Sequence, residues 1–276
     1  IFAIIGWFLI RKTQAVEAAN PTLPFSLNPI KELAGPMRTI RQDKGLLAAA
    51  IGETIFYSIG IVLVFAILTM GKYDLMLSDI ERSLMLLPLT FGIGLGCFVA
   101  GRLNHTTMNR GLCVPGLMGM TFALCQLIST SNPTIASLWI LLAGFFGGLF
   151  VLPIKVYLQE ETPEKERMRI MAAENILVFL GMLFTTWLTY EFGKRSGDLT
   201  SHSVIWACSL ALALTCIPAA IILSNNFLRL LVLGPIRLNY RIRGRGLENV
   251  PHDGPLLLLP NHSTWIDGFL LSAAIP

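Results

Sequence analysis

The chain has 276 residues, of which 54% are hydrophobic and 14% charged, far from the roughly half apolar and quarter charged balance of soluble domains. Its net charge of +4 comes from basic residues clustered between apolar runs, the pattern of membrane loops, which excludes nucleic-acid binding. The five cysteines (Cys97, Cys113, Cys125, Cys208 and Cys216) lie in or beside apolar segments without a Cys-x-x-Cys pair, so they read as small buried residues, with no metal site or disulfide framework.

A helix needs about 20 apolar residues to cross the hydrocarbon core. That length predicts a stub at 1–10 and six full spans at 46–70, 83–103, 111–130, 134–158, 171–192 and 203–223. The stub has no basic leader and no small-residue cleavage site, so it reads as the end of a membrane helix rather than a signal peptide. Beginning at Ile1 and ending at Pro276 after an apolar run, the chain reads as an excised piece. The polar, Pro-bearing stretch 11–45 is longer than most later connections and reads as a linker between two helix sets. Four parts are expected: the stub at 1–10, the linker at 11–45, a six-helix unit at 46–224 and a soluble tail at 225–276.

Orientation follows from the 21 Lys and Arg residues. Only Lys72, Arg82, Lys194 and Arg195 fall on one side of the alternating spans. The others fall in the linker, in the tail, after the second full span and near the fourth-to-fifth connection, where Lys155 is counted with Lys165, Arg167 and Arg169. The positive-inside rule then places linker and tail in the cytoplasm.

Small residues recur four apart within spans, at Gly92, Gly96 and Ala100 and at Gly144 and Gly148, a spacing that lets helix backbones approach closely in lipid. The triplet Gly92, Gly94 and Gly96 lacks the preceding strand and following acidic residue of a dinucleotide loop. Pro88, Pro115, Pro153 and Pro218 fall in or near span ends, where tolerated bends are expected. Two carboxylates lie inside apolar spans. Such groups are costly in lipid and must face a cavity or a partner. Glu53 is a candidate for binding substrate or a proton, the alternative being a structural hydrogen bond to Tyr57 or another helix. Glu174, followed by Asn175, is a second transport candidate, the alternative being a pair with Arg167 or Arg169 near the interface.

The loop Gly101-Arg102-Leu103-Asn104-His105-Thr106-Thr107-Met108-Asn109-Arg110-Gly111 resembles the short basic loop between adjacent helices of major facilitator superfamily transporters, with Asn104 near the place of the usual acidic residue. The stretch from Gly148 through Pro153, Gln159-Glu160 and Arg167 to Ala172-Ala173-Glu174-Asn175 is similar to the corresponding segment of bacterial lysophospholipid transporters of that superfamily. In the tail, Gly246-Leu247-Glu248-Asn249-Val250-Pro251 leads to a strand-like run at 255–260, then Asn261-His262-Ser263-Thr264-Trp265-Ile266-Asp267 and an apolar, helix-like run at 268–275. This resembles the first motif of the phospholipid/glycerol acyltransferases, with Thr264 where the family usually has Ser.

What these resemblances imply is a mainly α, polytopic membrane protein, the C-terminal half of a major facilitator bundle, followed by the start of an α/β acyltransferase domain. The resemblance assigns His262 as the base that deprotonates a lysophospholipid hydroxyl attacking an acyl thioester, a role suited to imidazole at neutral pH. Asp267 holds the ring tautomer and stabilises the imidazolium. The implied function is inward transport of lysophospholipid across a bacterial inner membrane, coupled to its re-acylation on the cytosolic face. The implied acyl donor is acyl-CoA or acyl-acyl-carrier protein, the implied partners are membrane lipid and lysophospholipid, and no bound cofactor or metal is expected. Two alternatives stand beside it: an acyltransferase whose helices are an anchor only, and a transporter of another solute with an inactive tail. The later acyltransferase motifs are expected beyond residue 276, so the fragment alone is expected to be inactive.

Overall fold

The computed structural model describes residues 28–103, 110–196 and 200–228, with residues 6, 7, 10, 11, 230, 231, 250, 261, 267 and 270 besides. The described chain is mainly helical. In order its helices are α1 (Pro29–Gln42), α2 (Lys44–Tyr73), α3 (Asp79–Leu84), α4 (Leu86–Leu103), a 3-10 turn (Arg110–Leu112), α5 (Cys113–Ile128), α6 (Pro133–Glu160), α7 (Arg167–Ser196) and α8 (Ser201–Ile222). Six segments are long and apolar enough to cross a membrane: α2, α3 with α4, the 3-10 turn with α5, α6, α7 and α8. They match the six expected spans in number and order, and most run a few residues past the apolar windows.

Those extensions come from capping at polar ends. Asp43 starts α2 by accepting hydrogen bonds from the amides of Gly45 (2.7 Å) and Leu46 (2.9 Å). Asn132 does the same for α6, accepting from Thr134 and Ile135, with Pro133 at the first helical position, where its missing N–H costs nothing. Thr200 caps α8 through the amide of Ser203. Between α3 and α4 the helix breaks after Leu84. Pro88 supplies no N–H to the Leu84 carbonyl and its ring crowds that oxygen.

Neighbouring spans run antiparallel, so α4 and α6 run parallel, and glycine sets their approach. A Cβ on Gly92 or Gly96 would overlap the Leu141 or Phe145 carbonyl of α6, and one on Gly144 or Gly148 would overlap the Leu89 or Ile93 carbonyl of α4. These are the residues that the four-residue spacing singles out, and backbone-to-backbone contact is what that spacing permits in lipid. Helix α5 packs on the other side of α6, where Gly116 meets the Phe146 carbonyl and the Phe150 amide. Helix α2 packs along α7 and α8. The main core joins Ile67 and Met70 of α2, Leu117 and Leu124 of α5, Ile140 and Leu158 of α6, and Leu212 of α8. At one end of the bundle Asp74, just after α2, accepts a hydrogen bond from Ser201 and lies 3.7 Å from His202, tying α2 to the start of α8. The outer face of α7 shows Leu180, Leu183, Phe184 and Trp187 to the surroundings. Such a face suits hydrocarbon rather than water.

Helix α1 lies within the stretch 11–45 read as a linker. Leu33, Met37 and Ile40 repeat at helical spacing and pack on Leu47 and Ala50 of α2 and on Ile170 and Ala173 of α7. Arg169 of α7 fastens the helix through Glu32 at 2.8 Å.

Candidate functional site

Three helices bring three charges together inside the bundle. Glu53 on α2 and Glu174 on α7 are both completely buried, and Lys155 on α6 lies between them. The Lys155 ammonium pairs with Glu53 and donates a hydrogen bond to Glu174 at 3.2 Å. Glu53 lies nine residues into α2, Glu174 seven residues into α7 and Lys155 five residues before the end of α6, hence about 13, 10 and 8 Å from one common end of the bundle at 1.5 Å per residue. All three lie in segments apolar enough to cross a membrane, where ionisable side chains are rare and face a partner or a cavity.

Helix geometry explains the convergence. α2 and α7 run parallel, side by side, and Gly181, two turns beyond Glu174, sits against Thr54 and Ser58, just past Glu53, so the two helices approach closely there. α6 runs antiparallel to both. Its Lys155 reaches the gap from the basic end and keeps a quarter of its side chain exposed, as a long aliphatic stem with a charged tip does. Two carboxyl groups converge on one ammonium, so the cluster holds one more acid than it has cations. One oxygen of Glu174 and the carboxylate of Glu53 have no hydrogen-bond partner of good geometry among the described residues.

Two expectations are corrected here. Glu174 meets Lys155, not Arg167 or Arg169. Arg169 is occupied by Glu32 on α1. Lys155, counted with the loop cations, is inside α6. Its signal in the sequence was its place between Ile154 and Val156 in an apolar run. The alternative of a Glu53 to Tyr57 hydrogen bond does not occur, although Tyr57 is near enough to feel the charges of all three residues. Asn175 is exposed beside buried Glu174. Of the cysteines expected to be buried, Cys113 and Cys208 are, while Cys97, Cys125 and Cys216 are half-buried; the Cys97 thiol points at the Gly148 carbonyl and the Cys113 thiol at that of Phe150.

The tail carries the second expected site. Asp267 and Leu270 are helical and half-buried. His262, Ser263 and Thr264, the strand-like run at 255–260 and the loop at 104–109 lie outside the described residues. The model of the Acyltransferase family matches residues 241–276. That match supports acyl transfer as the chemistry of the tail. It contains the whole Asn261 to Asp267 segment. No curated protein and no solved structure matches the chain.

Proposed function

We propose that the chain combines one six-helix half of a lysophospholipid transporter of the major facilitator superfamily with the start of a cytosolic acyltransferase that re-acylates the imported lipid. The observation that carries the reading is the succession of parts: an acyltransferase segment at 241–276 directly follows a set of six apolar helices. The buried Glu53, Lys155 and Glu174 cluster favours a working transport half over a mere anchor, because an anchor has no use for three ionisable groups at membrane depth.

In the transport half, Lys155 is the shared cation. The excess carboxylate charge takes up a proton, or exchanges its hold on Lys155 for the charged headgroup of the lipid, as the helices change partners. In the tail, the free hydroxyl of the lysophospholipid gives its proton to the His262 imidazole while its oxygen attacks the carbonyl carbon of the acyl thioester. The carbon–sulfur bond of the resulting tetrahedral adduct then breaks, and the imidazolium returns the proton to the departing thiolate. The products are a diacyl phospholipid and a free thiol. Asp267 holds the imidazole in the tautomer that accepts the proton and stabilises the imidazolium.

The test separates the two halves in the full-length protein. Glu53→Gln should depress uptake of labelled lysophospholipid into vesicles while leaving acylation of lipid presented in detergent. His262→Ala should do the reverse, lowering acyl transfer from acyl-CoA or acyl-acyl-carrier protein by about 10² to 10⁴-fold, the usual contribution of a general base. Near-normal acyl transfer by His262→Ala would remove the catalytic assignment. Uptake unchanged by Glu53→Gln would leave the cluster a structural one and favour the anchor.

A further inference from the structure

A second feature lies away from the charge cluster. A cleft of about 570 Å³ opens between α2 and α8, with the start of α5 and the last three turns of α6 as its floor. Its volume is in the usual range for ligand sites, roughly 300–1,000 Å³. The walls are almost wholly apolar, with Leu47 and Ile51 of α2 facing Leu214 and Ala219 of α8. At one end the lining changes to Lys44, Arg110 and Tyr157. Along α2 the cleft runs from Lys44 to Ile55, about 16 Å at 1.5 Å per residue. That is half of the ~30 Å hydrocarbon thickness, the depth of a single leaflet.

The charged end is built rather than incidental. Arg110 stacks on the Tyr157 ring at 4.2 Å, which fixes its guanidinium, and the Tyr157 hydroxyl packs against Gly45, where a larger residue would collide with it. Neither Lys44 nor Arg110 has a carboxylate within salt-bridge distance among the described residues. The nearest acid in sequence, Asp43, spends its carboxylate on the Gly45 and Leu46 amides, and Glu161 lies near enough to Tyr157 to act on it electrostatically. Arg38 and Arg41 of α1 add positive charge close by in sequence, three to six residues before Lys44.

We propose that this cleft binds one anionic phospholipid drawn from the leaflet on the Lys44 side, its phosphate held by Lys44 and Arg110 and an acyl chain laid between α2 and α8. Charge complementarity at the mouth and the leaflet-deep apolar groove select this occupant over a soluble anion, which would use only the mouth, and over a zwitterionic lipid, whose own ammonium would oppose the two cations. The site is distinct from the Glu53, Lys155 and Glu174 cluster, and its occupancy does not depend on the transport or acylation reading.

The experiment is native mass spectrometry of the purified full-length protein titrated with phosphatidylglycerol, phosphatidylcholine or inorganic phosphate. Phosphatidylglycerol should be retained in preference to phosphatidylcholine, and millimolar phosphate should not displace it. A cation near the membrane surface contributes about fivefold to anionic-lipid binding, so Lys44→Ala with Arg110→Ala should weaken retention roughly 30-fold. Ala219→Phe, which fills the groove and keeps both cations, should also release the lipid, and Lys72→Ala at the opposite end should not. Unchanged phosphatidylglycerol affinity in the double variant or in Ala219→Phe overturns the site, as does displacement by phosphate alone. Because lipid retention is read directly, a protein inactive in transport still gives an answer.

Discussion

Replacing Lys155 by Met tests the charge cluster most directly. The substitution keeps all but the last atom of the side chain's length and removes the ammonium that Glu53 and Glu174 share, leaving two fully buried carboxyl groups without it. Removing one partner of a buried ion pair costs about 3–5 kcal/mol. Lys155 is a quarter exposed, so some of its charge is already solvated and the lower end, about 3 kcal/mol, is expected. At about 2–4 °C per kcal/mol for a chain of this size, the apparent Tm in detergent should fall by roughly 6–12 °C. The sign of the coupling is the sharper result. Adding Glu53→Gln to Lys155→Met removes one of the stranded charges, so the double variant should be more stable than Lys155→Met alone. Circular dichroism at 222 nm during heating, with a double-mutant cycle over the two positions, measures both quantities. A Tm for Lys155→Met within about 1 °C of wild type, or no recovery on adding Glu53→Gln, would refute the shared-cation account.

Gly96→Leu should disrupt the bundle, because its side chain would collide with the Phe145 carbonyl and Gly148 of α6, whereas Gly94→Leu, with open space around it, should be tolerated; yield of monodisperse protein and thermal stability distinguish the two. Asp43→Ala leaves the Gly45 and Leu46 amides uncapped and should cost about 0.5–2 kcal/mol, read as a small loss in Tm that Asp43→Ser partly restores. Single cysteines placed near Arg110 and Arg243 in an otherwise cysteine-free protein should be protected from impermeant reagent outside the cell, and one near Lys194 should react. Labelling at Arg243 from outside would reverse the orientation.

The sequence was most informative where one rule acted alone. Span length located the six long helices, because nothing competes with a run of about 20 apolar residues. The four-residue spacing of Gly92, Gly96, Gly144 and Gly148 marked the α4 and α6 crossing for the same reason. Helix α1 was hidden because its polar residues and Pro36 dominate the composition. Its three apolar contacts, Leu33, Met37 and Ile40, gain meaning only from the groove they fill on α2 and α7. The partner of Glu174 was legible in type, since a buried carboxylate requires a cation, but not in identity. Arg167 and Arg169 are nearest along the chain, yet the antiparallel course of α6 brings Lys155 across from 19 residues away. Charge counting also misled at Lys155, because a lysine five residues from a helix end belongs to the loop by sequence and to the helix core by geometry.

The even number of spans has a consequence for how the proposed activities could meet. Six crossings would return the chain to the side on which it entered, so α1 and the end of α8 would share a side whichever way the bundle is oriented. The loop charges decide only which side that is. The charge cluster is nearer this side as well, about 8–13 Å in by helix rise, since α2 and α7 begin there and α6 ends there. A lipid headgroup leaving Glu53, Lys155 and Glu174 toward the nearer end would emerge on the side where α8 ends. Coupling between transport and acylation would then need no second crossing. If the labelling experiment placed the Arg110 and Arg243 positions on opposite sides, one of the six helices would not span, and this route would fail with it.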